Sequence, residues 1–421
     1  LLIAAPAERG AGAVIEGCTG LPPFAALGAL HDEDVLRRAA RLTARELRGA
    51  GVNWALAPAA DLAVEPANPF IGARALHHDA QKVAEWLVAW IDACQAEGVL
   101  ATAMHLPGEG RALEDPSLGP VIVSTPGAGL WGTDLVPFRA AVDAGVATVL
   151  ASTVSYPRLD ASGAGAAWSR VILQELLRDE LQYEGLIVGP PPATGGARVL
   201  GDEGAAAAAM LDAGCDLILA PQNLDLVLER VERALDAGLL DIARIEASAS
   251  RRDFWAAWGR AEHWREPTLD DVLWARQVSD TVIHAPRGVF ANIGPVVDVI
   301  LVDDDGDGSV READFAPFLA TLRAVGLGPR VVNGATDEGR GALCIVIRGA
   351  PSPGRARAGY SVATRRRVAT VVAEARSARR SVLALVLGPP ALAEEIPEVP
   401  NVICAWGADR AMQEAAARRL A

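Results

Sequence analysis

Apolar and polar positions alternate along this chain in two registers. Short apolar runs, each closed by Pro, Gly, His or Thr, cover Leu1 to Ala5, Val52 to Pro58, Val99 to His105, Ala147 to Thr153, Gly185 to Gly189 and Asp216 to Pro221. Between them, apolar residues recur at helical spacing over Asp34 to Ala50, Asp79 to Gly98, Thr133 to Ala144, Ser169 to Leu181 and Asn223 to Ala237. A continuous apolar run suits a strand covered on both faces, and the 3.6-residue period suits the helices that cover it. Strand then helix, repeated through residues 1–250, predicts an α/β fold of the (β/α)8 TIM-barrel type. Six strands are evident, so the expectation is a barrel without its first βα unit and with a weak unit near its end.

The pattern changes at residues 251–292. This stretch is rich in Trp and Arg, and Trp255, Trp258, Trp264 and Trp274 fall at near-helical spacing. It predicts a helical connector whose apolar face packs between domains. A second βα series fills residues 293–421. Strands are expected at Val297 to Val302, Arg330 to Asn333, Ala342 to Ile347, Ser381 to Leu387 and Asn401 to Ala405. Helices are expected near Phe315 to Val325, Ala363 to Ala375 and Asp409 to Leu420. That series predicts a smaller, doubly wound α/β sandwich domain.

Composition narrows the function. A net charge of -14 over 421 residues disfavours a nucleic-acid partner, which needs clustered cations. No apolar stretch approaches the roughly 20 residues of a membrane span. Lys82 is the single lysine, so Schiff-base chemistry has almost no candidate. Cys18, Cys94, Cys215, Cys344 and Cys404 are widely spaced, form no CxxC pair and read as free thiols. The chain opens on Leu1, so a cytoplasmic and an exported bacterial setting are both open. His77-His78-Asp79 suggests a metal pair only superficially. Adjacent histidines are expected to point apart, and Asp79 reads as a helix N-cap.

The strand ends carry the candidate chemistry. Gly51-Val-Asn-Trp-Ala-Leu-Ala-Pro58, Asn68-Pro-Phe-Ile-Gly-Ala-Arg74 and Ala101-Thr-Ala-Met-His-Leu-Pro-Gly-Glu-Gly110 together resemble glycoside hydrolase family 3, in its bacterial β-N-acetylglucosaminidase-like branch. The third segment parallels the family's A-T-A-K-H-F-P-G-H-G. The resemblance implies a retaining glycosidase, with a carboxylate nucleophile after the fifth strand and an Asp-Ser-His loop as acid/base. Here the nucleophile position is Pro190, and the loop reads Asp115-Pro-Ser117, with Ser117 in place of the His. The family's Lys-His pair is Met104-His105. Its N-terminal Asp is Pro6, and its Ala-His after the next strand is Ser152-Thr153. Arg74, His105, Glu8 and Asp61 remain as implied sugar contacts.

Proline has no nucleophilic atom, and a serine hydroxyl does not shuttle protons near neutral pH as an imidazole does. The expectation is therefore a pseudoenzyme that keeps the barrel, with a carbohydrate (amino-sugar) ligand or a protein partner, a second copy of itself included. Two alternatives stand beside it. One is an active hydrolase with an acid/base site rebuilt from Glu109, Glu114 or Asp115. The other is a structural subunit that binds no sugar.

No cofactor is expected in the barrel. The second domain offers a separate motif. Asp303-Asp-Asp-Gly-Asp-Gly-Ser-Val-Arg-Glu-Ala-Asp314 has the spacing of a twelve-residue calcium loop. Calcium or magnesium would be held by Asp303, Asp305, Asp307, the Ser309 carbonyl and Asp314. A strand precedes this loop where a helix is usual, and a solvated acidic turn is the competing reading.

Overall fold

In the computed structural model, residues 1–258, 264–288, 294–304, 310–336, 342–349, 351 and 353–421 are described. Six parallel strands form the first domain: β1 (Ala4–Ala5), β2 (Trp54–Ala55), β3 (Thr102–Leu106), β4 (Thr148–Ala151), β5 (Leu186–Gly189) and β6 (Leu217–Ile218). They neighbour one another in chain order. β1 pairs with β2, a bridge from Trp54 to Leu100 joins β2 to the approach to β3, and β3 to β6 form one sheet. This is the wall of a TIM-type barrel. No pairing of β6 with β1 occurs among the described residues.

Alternation along each strand sorts its side chains. Met104, Leu150 and Val188 turn inward with Trp54 and Leu100. Ala103, Val149 and Ile187 turn outward onto the helices. The Trp54 indole N–H is satisfied inside the wall, donating to the Thr102 and Thr148 hydroxyls at 2.9 and 3.1 Å. The helices outside are Glu33–Gly49, Ala80–Ala96, Leu135–Asp143, a π-wound helix Val171–Glu180, Glu203–Ala213 and Leu224–Asp236. Asp79 caps the second of these as expected, accepting from Gln81 N–H and Lys82 N–H.

Helix Ile242–Trp258 closes the N-terminal side of the wall. Trp255 packs on the inward-facing cluster. Ser248 and Arg251 reach Asp216 at 2.7 and 2.9 Å. Asp216 lies just before β6 and is buried. It also accepts from Ile187 N–H at 2.8 Å and pairs with Arg178 at 2.6 Å. Burial pushes the Arg178 guanidinium down despite that pair.

Residues 251–292 are helical only in part. Helix Leu269–Thr281 begins in a Thr268–Asp271 capping box, and β7 (His284–Arg287) then joins the second domain as an antiparallel edge. That domain contains β8 (Val296–Asp303), β9 (Gly328–Val331), β10 (Leu343–Arg348), β11 (Val382–Leu387) and β12 (Asn401–Cys404). Their order is β7-β12-β11-β10-β8-β9, a doubly wound sheet with helices Ala316–Ala324, Val362–Ser377 and Arg410–Arg419 on its faces. All five cysteines are free, and Cys18 alone among them is not buried. No helix among the described residues is long and apolar enough to cross a membrane.

Asp216→Ala leaves the buried Arg178 guanidinium without its carboxylate, an arrangement that typically costs about 3–5 kcal/mol. Urea unfolding of this variant should show a loss of that order. A change under about 1 kcal/mol would mean that the Asp216 network does not hold the helix Ile242–Trp258 against the wall.

Candidate functional site

Chemistry-bearing side chains gather at the C-terminal ends of β1 to β4, the end where barrel folds expose variable loops. Asp61 stands on the chain following β2 and is fully buried. Its Oδ2 accepts from the His105 backbone N–H at 3.2 Å and contacts His105 Nδ1 at 2.8 Å. Its Oδ1 accepts from the Glu109 N–H at 2.6 Å. One carboxylate thus fixes the end of β3, the loop after it and the ring of His105.

Arg74 ends the short turn Gly72–Arg74. Its Nε meets both oxygens of Glu8 at 3.1 and 3.0 Å, and its Nη2 lies 3.3 Å from His105 Nε2. The guanidinium stacks over Phe70 with 4.9 Å to the ring centre. With Nδ1–H given to Asp61, His105 Nε2 is free to accept from Arg74, which is the neutral tautomer. Burial opposes a charge on this ring, but the Glu109 and Asp61 carboxylates outweigh it and raise the pKa. Protonation would turn the Arg74 contact into two opposed donors. The proton on His105 and the position of Arg74 are therefore coupled.

Glu109 enters from the loop after β3. Its Oε1 accepts from the Ser152 hydroxyl, and its Oε2 lies 3.7 Å from His105 Nδ1. Asn68 Nδ2 holds the Glu109 carbonyl at 2.8 Å, and the Tyr156 hydroxyl holds the Gly108 carbonyl at 2.8 Å. Burial raises the Glu109 pKa, and Asp61 adds to the rise against the opposing pull of His105. Glu109 Oε2 and Arg74 Nη1 are buried with no hydrogen-bond partner among the described residues.

The sequence candidates separate here. Glu8, Arg74, His105, Asp61 and Glu109 form one cluster. Glu114 is exposed on the loop beyond it. Asp115 is committed within its own loop: Oδ1 accepts from Ser117 N–H and Oγ–H at 2.8 and 2.6 Å. Its Oδ2 accepts from Gly354 N–H of the second domain at 2.6 Å. The loop is docked on its other side as well. Gly195 N–H and Gly196 N–H donate to the Ser117 and Pro116 carbonyls at 3.0 and 3.1 Å. A side chain at Gly195 would fall 2.2 Å from Leu118, so glycine is required for this approach. Pro190 follows β5 directly and is buried. Ser152, which binds Glu109, stands in the sequence only where the resemblance calls for an Ala-His pair. Its signal was its place at the end of β4.

The histidine pair differs from expectation. His77 and His78 stack, with ring centres 4.1 Å apart, and His31 and Trp86 lie edge-on to His77. Burial and the neighbouring His78 and Lys82 charges lower the His77 pKa. Of the acidic loop, Asp303 and Asp314 both lie against Arg348, at 3.1 and 3.5 Å. Asp305, Asp307 and Ser309 lie outside the described residues. No group of three or more metal-ligating side chains occurs among the described residues.

Comparison with known proteins adds an independent line. The family model described as the glycosyl hydrolase family 3 N-terminal domain matches residues 1–252. A beta-N-acetylglucosaminidase/beta-glucosidase of Cellulomonas fimi is 31% identical over 261 residues, covering 60% of this chain and 46% of that protein. A beta-hexosaminidase of Stenotrophomonas maltophilia is 34% identical over 234 residues, covering 53% of this chain and 69% of that protein. The chain thus spans about half the length of the first relative and about two thirds of the second. A solved family 3 beta-N-acetylglucosaminidase from Paenibacillus superposes with a TM-score of 0.83 at 23% identity, covering 100% of this chain and 84% of that one. A beta-glucoside phosphorylase gives 0.82 at 19% identity, covering 100% and 81%. At these identities the structural likeness concerns the fold.

The raised pKa values of Glu109 and His105 act in the same direction. A folded-state pKa above the unfolded value contributes stability that is fully present below the unfolded pKa and is lost as pH rises through the folded one. Glu109→Gln removes one such group and the carboxylate that raises His105. Its melting temperature relative to wild type should therefore be higher at about pH 8 than at about pH 5. An unchanged difference between the two pH values would contradict the assignment.

Proposed function

The chain belongs to glycosyl hydrolase family 3, and from that premise we propose that it binds a carbohydrate at the barrel mouth without cleaving it through a glycosyl-enzyme. The carrying observation is Pro190. It directly follows β5, where the family resemblance calls for a carboxylate, and it is buried. Retaining hydrolysis requires an attacking carboxylate at the anomeric carbon, and a pyrrolidine ring supplies no substitute.

The sugar-recognition half of the machinery is better supported. Glu8, Arg74 and His105 offer a carboxylate, a guanidinium and an imidazole at the rim, with side-chain exposures of 18, 14 and 11%. Such planar, fixed donors and acceptors suit hydroxyl pairs of a pyranose. The similarity to proteins described as hexosaminidases favours an amino sugar as the ligand class.

A rebuilt hydrolase is the second reading, and the buried Glu109 with its raised pKa is the feature that favours it. An inverting mechanism would still need a second carboxylate free to activate water. Both oxygens of Asp61 and both oxygens of Asp115 already accept hydrogen bonds.

Purified protein should give no turnover of chromogenic β-glycosides above background, the N-acetylglucosaminide included. The free sugars should nonetheless raise its melting temperature, and Arg74→Ala should abolish that shift. Turnover that co-purifies with the protein and disappears in Glu109→Gln would overturn the non-catalytic reading.

A further inference from the structure

Hydrogen bonding is incomplete at the barrel mouth. Glu8 is paired with Arg74, and Asp61 is paired with His105. Glu109 has the Ser152 hydroxyl as its one side-chain hydrogen-bond donor among the described residues: His105 Nδ1, 3.7 Å away, already bonds Asp61 at 2.8 Å, and Arg74 acts on it electrostatically without a hydrogen bond. Its Oε2 is buried without a partner, and so is Arg74 Nη1. A buried carboxylate oxygen without a hydrogen-bond donor is costly, and the natural remedies are a proton or a charged donor from a ligand.

The origin of this gap is visible in the segment Met104 to Gly110. The motif it resembles has Lys where this chain has Met104, and His where it has Glu109. A fixed positive charge has been replaced by a thioether, and an imidazole by an acid. Met104 sits among the apolar inward side chains and is nearly fully buried.

We propose that the ligand of this site supplies the missing donor and acceptor: a hexosamine bearing a free ammonium group that donates to Glu109 Oε2, with an adjacent hydroxyl accepting from Arg74 Nη1. The proposal rests on the sugar-binding reading above and narrows its substrate class. An N-acetylated amine is a neutral amide and offers no charge to Glu109. The ligand approaches from the rim formed by Glu8, Arg74 and His105, which keep partial exposure. An ammonium there gives the unsatisfied oxygen a charge-assisted hydrogen bond, among the stronger polar contacts available to a protein.

Dissociation constants of glucosamine, N-acetylglucosamine and glucose, measured at neutral pH by ligand-observed NMR and calorimetry, test this directly. Ammonium chloride at equal concentration serves as the cation control. Wild type should bind glucosamine about tenfold more tightly than either neutral sugar, a difference of about 1.4 kcal/mol. Two variants that remove the need for a cation, Glu109→Gln and Met104→Lys, should each bring the three sugars to similar affinity. Equal affinity of wild type for all three sugars, or preference for the N-acetyl form, overturns the ammonium proposal and leaves the sugar site standing. An ammonium chloride response equal to that of glucosamine overturns the sugar component. Failure of all three sugars to bind overturns both the proposal and the reading beneath it.

Discussion

The barrel mouth depends on the buried carboxylate of Asp61. It accepts from two backbone N–H groups and one imidazole, so it defines the end of β3, the path of the loop after it and the orientation of His105 together. Hydrogen bonds to a charged acceptor in a dry setting are strong, and leaving their donors unmade is expensive. Everything else at the mouth is referred to this group. Arg74 is placed by Glu8 and by the ring that Asp61 holds, and Glu109 by a backbone that Asp61 holds.

Around that fixed centre the loops are tied to one another and to the second domain. The loop carrying Asp115 is tied to the chain after β5 through Gly195 and Gly196, and to the second domain through Gly354. The turn bearing Arg74 meets the same region of the second domain, where a side chain at Gly72 would come within 2.7 Å of Pro351. In the family pattern that the sequence resembles, this loop brings an imidazole to the sugar. Here its carboxylate fastens two domains. Ser117 belongs to that tie, with its N–H and hydroxyl on Asp115 and its carbonyl accepting from Gly195 N–H.

Much of the fold was legible because its strands obey a simple rule. Thr148–Ala151 and Leu186–Gly189 are buried on both faces, and an uninterrupted apolar run states that directly. Asp79 declared a helix start by residue type and position. The misses have physical reasons. Helix Glu203–Ala213 is largely alanine, so its faces scarcely differ and no period marks it. β7, with the sequence His-Ala-Pro-Arg, is a mostly exposed edge whose pairing is decided by β12, more than a hundred residues later. Candidate site residues could be named from strand ends, but their roles could not. The Asp115 partner is 239 positions away, and the stacking of His77 on His78 follows from packing against His31 and Trp86. The free oxygen of Glu109 is a property of geometry that no local pattern announces.

The central claim is that this family 3 barrel keeps a sugar-recognition cluster while having no carboxylate placed to attack an anomeric carbon. The most direct measurement is intact-protein mass spectrometry after prolonged incubation with activated fluoro-β-glycosides, which trap a carboxylate nucleophile as a stable glycosyl ester. The account predicts an unmodified mass. A stoichiometric glycosyl adduct, located by peptide mapping to any Asp or Glu of the barrel mouth, would contradict it.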